Sequence, residues 1–130
     1  LGARDTLRLE KGYLLSGQDF DGNQTTLETG YSWVIDWNHD FIGKEALMEF
    51  KKKSYPKLRG IIIEDRGIVR PGNSVFNNGN KISSLTSGSL SPTLRKGIGL
   101  AYLDLEIGTP ITVEVRGNHL NGCVVRMPFL

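Results

Sequence analysis

Apolar positions in the first fifteen residues recur close to a helical period. Ala3, Leu7 and Leu14 share one side with Leu9 and Tyr13 beside them, which predicts a helix over 3–15. Residues 18–26 show no periodicity and contain Asp21-Gly22-Asn23, the chemistry of a loop. From 31 to 37 the period drops to two. Tyr31, Trp33, Ile35 and Trp37 alternate with polar Ser32 and Asp36, and this predicts a strand. Asn38 and Asp40 stand where N-caps belong, ahead of a helix over 41–53 with Ile42, Ala46, Leu47 and Phe50 as its apolar stripe. Lys51-Lys52-Lys53 complements the dipole at its end, and Ser54-Tyr55-Pro56 stops it.

Beyond Pro56 the character changes, with short β-rich runs separated by turn residues at about the 8–12 residue spacing of an all-β barrel or sandwich. Six strands are predicted, over 58–64, 73–76, 81–86, 97–103, 111–116 and 121–127. Asn78-Gly79 and Gly117-Asn118 are hairpin signals, while Arg70-Pro71-Gly72 and Gly108-Thr109-Pro110 are turns. The fold class is therefore α+β, mainly β: a six-stranded antiparallel β-barrel or jelly-roll-like domain over 55–130, preceded by a small helix-strand-helix segment over 1–54. That first segment is small for a core of its own.

Composition narrows the function classes. The 130 residues are 38% hydrophobic and 23% charged, and sixteen Lys+Arg against fourteen Asp+Glu leave a net charge of +2. Such a balance gives no argument for nucleic acid or an anionic membrane as partner, so any anion site must be local. The longest apolar run, Ile61-Ile62-Ile63, is strand-sized and far short of a membrane span. Cys123 is single, and His39 and His119 are the only histidines, so no zinc-ligand spacing can be assembled and no metal is expected. Gly97-Ile98-Gly99 lacks the third glycine of a dinucleotide loop and reads as barrel-strand glycines, and Ser87-Gly88-Ser89-Leu90-Ser91 has no nucleophile-elbow pattern. The informative cluster is Arg4, Arg8 and Lys11, at i, i+4 and i+7 on one helix face. Asp5 and Glu10 can neutralise it internally, or a guanidinium there can offer its planar fork to a carboxylate or a polar heterocycle edge.

Taken as a set, these segments resemble a known family. Gly2-Ala3-Arg4-Asp5-Thr6-Leu7-Arg8-Leu9-Glu10-Lys11-Gly12, then Leu27-Glu28-Thr29-Gly30-Tyr31-Ser32-Trp33, Phe41-Ile42-Gly43-Lys44-Glu45-Ala46-Leu47, Thr86-Ser87-Gly88, Ser91-Pro92-Thr93-Leu94, Ile98-Gly99-Leu100-Ala101-Tyr102 and Val125-Arg126-Met127-Pro128-Phe129 follow the order of motifs in the glycine cleavage system T proteins, the aminomethyltransferases. The resemblance spans essentially the whole chain. It implies a transfer in which the methylene carbon passes from the aminomethyl-lipoyl arm of H protein to tetrahydrofolate with release of ammonia.

The family enzyme is nearly three times as long, so the resemblance implies a C-terminal portion: 1–54 as the tail of the folate-binding region and 55–130 as the C-terminal barrel. The family's catalytic aspartate lies in upstream domains and has no counterpart here, so no catalytic residue is assigned and the chain alone is expected to be inactive. Carried over position by position, Arg4 is implied as the folate ligand, with Glu28 and Trp33 at motif positions near the folate cavity. Arg8 is read as pairing with Asp5, and Thr86-Ser87-Gly88 as a turn that can line the cavity rim. The implied cofactor is tetrahydrofolate, the implied partners are lipoylated H protein and the upstream domains, and the expected compartment is the cytoplasm, or the mitochondrion in a eukaryote. Two other readings stand beside it. One is the folate-binding module of a sarcosine or dimethylglycine dehydrogenase or of an iron–sulfur assembly protein; the other is a noncatalytic docking module.

Overall fold

In the computed structural model, which describes residues 2–130, two short helices precede seven strands. Helix α1 (Gly2–Glu10) leads through a loop to a single 3-10 turn (Ser32–Val34) and helix α2 (Lys44–Lys51). The strands are β1 (Lys57–Ile63), β2 (Ser74–Asn77), β3 (Asn80–Ser84), β4 (Ser87–Ser91), β5 (Lys96–Leu103), β6 (Pro110–Val115) and β7 (Asn118–Val125). All pair antiparallel in one sheet of order β3-β2-β6-β7-β1-β5-β4, and the sheet curls until β3 approaches β5. Residues 81–86, expected as one strand, hold only β3, and a seventh strand, β4, follows a bend at Leu85 and Thr86.

The hairpin at Asn78-Gly79 forms as expected, both residues having the positive φ that a two-residue turn matched to strand twist requires. The second tight turn sits one residue earlier than expected, on Arg116 and Gly117, because Val115 pairs with Asn118. Strands β1 and β5 carry buried residues on both faces, which is why residues 60–63 and 97–103 read as unbroken runs without a charge. Their inner face, with Ile61, Ile63, Ala101 and Leu103, joins Val75, Val113 and Val124 in the core of the curl. Their outer face, with Leu58, Ile98 and Leu100, is covered by Leu9 of α1 and by Met127 and Phe129 of the last segment. Gly99 serves the inner face, opposite Ile61: a Cβ there would lie 3.0 Å from both the Ser87 carbonyl oxygen and Leu85 Cδ2 of the core.

The first segment departs most from expectation. Helix α1 stops at Glu10, not near Leu15, because Gly12 at φ +76 closes a Schellman cap in which Tyr13 N donates to Arg8 O and Gly12 N to Leu9 O. Its buried side chains are Leu9 and Glu10, whereas Ala3 and Leu7 are exposed. Residues 31–37 form no strand. Val34 N bonds Tyr31 O and Ile35 N bonds Ser32 O in a 3-10 turn, and the aromatic alternation reflects local stacking, Tyr31 on Trp33 at 5.8 Å and Trp37 near Phe41 at 6.5 Å. Helix α2 starts at Lys44 behind Gly43 rather than behind Asn38 or Asp40; Asn38 N is instead bonded by the Asp36 carboxylate. It buries no residue, and Ile42, expected on its apolar stripe, is fully exposed. Among the described residues no helix is long and apolar enough to cross a membrane.

Candidate functional site

The join between α1 and the sheet is polar and built with matched spacing. Along β4, Ser87, Ser89 and Ser91 point to one face, and all three are buried. Two strand residues advance about 6.7 Å and four helix residues about 6 Å, so the strand's alternate positions can meet an i, i+4 pair on a helix lying along it. Ser91 Oγ donates to the buried Glu10 carboxylate, and Ser89 Oγ lies 3.4 Å from Thr6 Oγ1. The Ser91 hydrogen bond, reinforced by Thr93, holds Glu10 below the usual carboxylate range against the opposing effect of burial. Phe129 N donates to Glu10 O at 3.0 Å and ties the last segment to the helix end.

Ser87 belongs to a second cluster centred on Asp19. The Asp19 side chain is fully buried, and both carboxylate oxygens are filled. Oδ1 accepts from Thr86 Oγ1 and Ser87 Oγ, each at 2.6 Å, while Oδ2 accepts from Arg8 Nη1 at 2.7 Å and Leu15 N at 2.9 Å. The Asp19 carbonyl accepts from the Tyr102 hydroxyl at 2.6 Å, and burial, aided by the Asp19 charge, pushes the Tyr102 phenol up to about 12. Arg8 completes its set with Asp5 Oδ1, from Nε at 2.9 Å and Nη2 at 2.7 Å, with Ser87 Oγ at 3.0 Å and with Tyr13 O at 3.3 Å. Arg8 does pair with Asp5, but Asp5 is one of several acceptors and Asp19 is the buried one.

Above this cluster lies a cleft of about 740 Å³ between α1, the loop after it and the β1–β2 connection. Arg4, Asp5, Arg8 and Gln18 form its polar wall, and Leu14, Leu15 and Pro71 its apolar one. Arg8 is saturated by its partners, whereas Arg4 is exposed and forms no ion pair among the described residues. An apolar surface beside a free guanidinium suits a flat ligand that carries a carbonyl or carboxylate.

The other two predicted site residues lie outside this lining. Glu28 closes a reciprocal capping box with Thr25: Thr25 N donates to Glu28 Oε1 at 3.0 Å and Glu28 N to Thr25 Oγ1 at 3.3 Å. Its carbonyl accepts from Leu58 N at 2.7 Å, which pins the loop to the start of β1. Trp33 is 75% exposed on the 3-10 turn. Sequence reasoning passed over Asp19 and Gln18, which sit in an aperiodic loop that offered no signal; it weighed the Ser87–Ser91 run only for a nucleophile elbow and read Thr86-Ser87-Gly88 as a rim turn, whereas Ser87 and Gly88 are buried in β4 and the alternation of Ser87, Ser89 and Ser91 was the signal for the comb. Among the described residues no group of three His, Cys, Asp or Glu side chains is placed to hold a metal ion.

Residues 57–130 match the family model of the glycine cleavage T-protein C-terminal barrel domain. The chain belongs to that family. Among curated T-protein relatives, it is 47% identical to an aminomethyltransferase of Halothermothrix orenii, covering 100% of this chain and 38% of the relative. It is 45% identical to the aminomethyltransferase of Thermotoga maritima, over 99% of this chain and 36% of the relative. The crystal structure of the glycine cleavage system aminomethyltransferase T from Bartonella henselae superposes with a TM-score of 0.87 at 30% identity, covering 98% of this chain and 38% of that one. The chain thus spans well under half the length of the T proteins it matches.

Proposed function

We propose that this chain is the C-terminal, folate-anchoring part of a tetrahydrofolate-dependent aminomethyltransferase, which takes the methylene carbon from the aminomethyl-lipoyl arm of H protein and releases ammonia. The observation that carries the reading is the cleft in which Arg4, which forms no ion pair among the described residues, stands beside Leu14, Leu15 and Pro71. Arg4 supplies the charge-assisted bond to folate, and the apolar wall receives the flat face of the ring. Glu28 holds the turn that leads to Trp33, whose exposed indole offers a further stacking surface.

On this reading the division lies near residue 54, with 1–54 folate-binding and 55–130 the barrel that supports it. The protein works where the glycine cleavage system works, in the cytoplasm or, in a eukaryote, the mitochondrion. Catalysis by the whole protein rests on holding the aminomethyl group and the folate amine in register while a carboxylate manages the proton. No residue here resembles that carboxylate, so these 130 residues bind and do not turn over.

Calorimetric titration with tetrahydrofolate tests the binding. The 130-residue chain should bind, and Arg4→Ala should weaken binding about tenfold or more, the order expected for loss of one charge-assisted hydrogen bond. No binding, or binding indifferent to Arg4→Ala, overturns the assignment of this cleft. Methylene transfer from aminomethylated H protein by the chain alone would overturn the division of labour.

A further inference from the structure

The β1–β2 connection and the β4–β5 turn meet at the start of β5, and both are pinned there. Asp65 N donates to Asn121 O at 3.4 Å, while Asn121 N donates to the Asp65 carboxylate at 2.7 Å. Gly67 fits closely two residues on: a Cβ there would lie 2.5 Å from Leu120 Cδ1, and a Cβ on Gly97 would lie 3.2 Å from the Gly67 carbonyl oxygen. In the turn, Arg95 N donates to Ser91 O at 2.7 Å and Leu94 N to Ser91 Oγ at 3.1 Å, and the same hydroxyl is bonded to buried Glu10. Between the two segments lies a pocket of about 260 Å³. Ile68 and Leu90, 43% and 40% exposed, form its apolar wall. Arg66, Arg95 and Lys96 line it as well, and none of them forms an ion pair among the described residues. The one carboxylate of the lining, Asp65, is turned to Asn121 N, so three cations stand against a single acid that is already engaged.

We propose that this pocket binds a small organic carboxylate, its charged end held by Arg66, Arg95 and Lys96 and its aliphatic body laid against Ile68 and Leu90. Like charges gathered on fixed walls repel one another, and a concave lining of one sign focuses its field on an anion at its mouth. A guanidinium donates to both oxygens of a carboxylate through its planar fork, and the lysine adds a compact charge beside it. A chain with a net charge of +2 has little general attraction for anions, so the selection has to be local, and these side chains supply it. The apolar wall decides the class. A bare oxyanion leaves Ile68 and Leu90 in water, whereas each methylene placed against them adds to binding. The volume, below the roughly 300 Å³ at which drug-sized sites begin, limits the ligand to a short chain. This pocket shares no lining residue with the Arg4 cleft, so the proposal stands or falls apart from the folate reading.

Titration of the 130-residue chain with pentanoate at constant ionic strength, followed through its backbone amide resonances, tests the proposal. Saturable shifts should be confined to residues 65–68, 90 and 94–97. Acetate, which has the charge without the body, and inorganic phosphate should each bind about fivefold more weakly or worse. Arg66→Gln and Arg95→Gly should each weaken pentanoate about tenfold. Arg95→Gly deletes the charge at a φ of +57 that glycine adopts freely, so its thermal midpoint should not fall and a loss of binding there is not a loss of fold. Lys81→Gln, which removes a charge outside the lining, should leave the affinity unchanged. Shifts that scatter or never saturate, an affinity indifferent to both arginine variants, or equal weakening by Lys81→Gln overturn the site. Acetate or phosphate binding as tightly as pentanoate overturns the ligand class, because the apolar wall then contributes nothing.

Discussion

Asp19 concentrates more of the structure on one side chain than any residue singled out by the motifs. A buried carboxylate with four donors is stable only while the set is complete, because each donor left behind loses water and partner together. Asp19→Ala should cost about 3–5 kcal/mol, read as a lowered midpoint in chemical denaturation, since it strands Arg8, Thr86, Ser87 and Leu15 N at once. Tyr102 reports the same neighbourhood. Its pKa of about 12 lies above the ordinary 10.0, so the folded state favours the neutral phenol; the associated stability is present below about pH 10 and is lost as pH rises toward 12. In a spectrophotometric titration the latest phenolate step should disappear in Tyr102→Phe; a titration unchanged by that substitution would show that Tyr102 is not the shielded group. At this scale the sequence was partly legible. Arg4 stood out through its spacing and its motif, but Asp19 and Gln18 acquire meaning only when the loop folds back on β4, some seventy residues along the chain.

Element by element, the barrel was more readable than the segment before it. Strand patterns in β1, β5, β6 and β7 survive because each has a buried face enforced by cross-sheet neighbours. Strand β4 escaped notice because its buried face is serine, an inward-facing polar row that makes sense only once Arg8, Asp19, Thr6 and Glu10 of the first segment arrive to meet it. The reverse error at 31–37 has a related cause: a period of two marks a strand only where another strand is available to pair, and here the aromatic rings stack among themselves. The end of α1 was legible in Gly12, which sits at the C′ position a helix cap favours. Gly12→Ala places a Cβ 3.2 Å from that of Met127 at φ +76, and it should destabilise the chain by about 1–2 kcal/mol and speed amide exchange in the last turn of α1. Exchange unchanged from the parent would mean that the cap does not hold the helix.

Across the whole molecule, the polar join makes the coherence of helix and barrel depend on charge. Glu10 is depressed below its ordinary 4.5, so the folded state favours the carboxylate; the stability this confers is present above that value and is lost as pH falls through the lower folded-state value. Glu10→Gln should flatten the acid limb of the stability–pH profile, whereas a limb of unchanged steepness would assign acid sensitivity to other carboxylates. Helix α1 meets strands β1, β4 and β5 at this join, but Trp33 and Trp37 do not take part in it. Trp33 is largely exposed on the 3-10 turn, and Trp37 lies under Lys51 of α2, with the ammonium 4.8 Å from its ring. These are the only two tryptophans in the chain, and both stand outside the core clusters. Tryptophan emission will therefore follow residues 31–53 and stay nearly silent while the barrel melts, so an emission melt and a circular-dichroism melt of this protein should be expected to disagree.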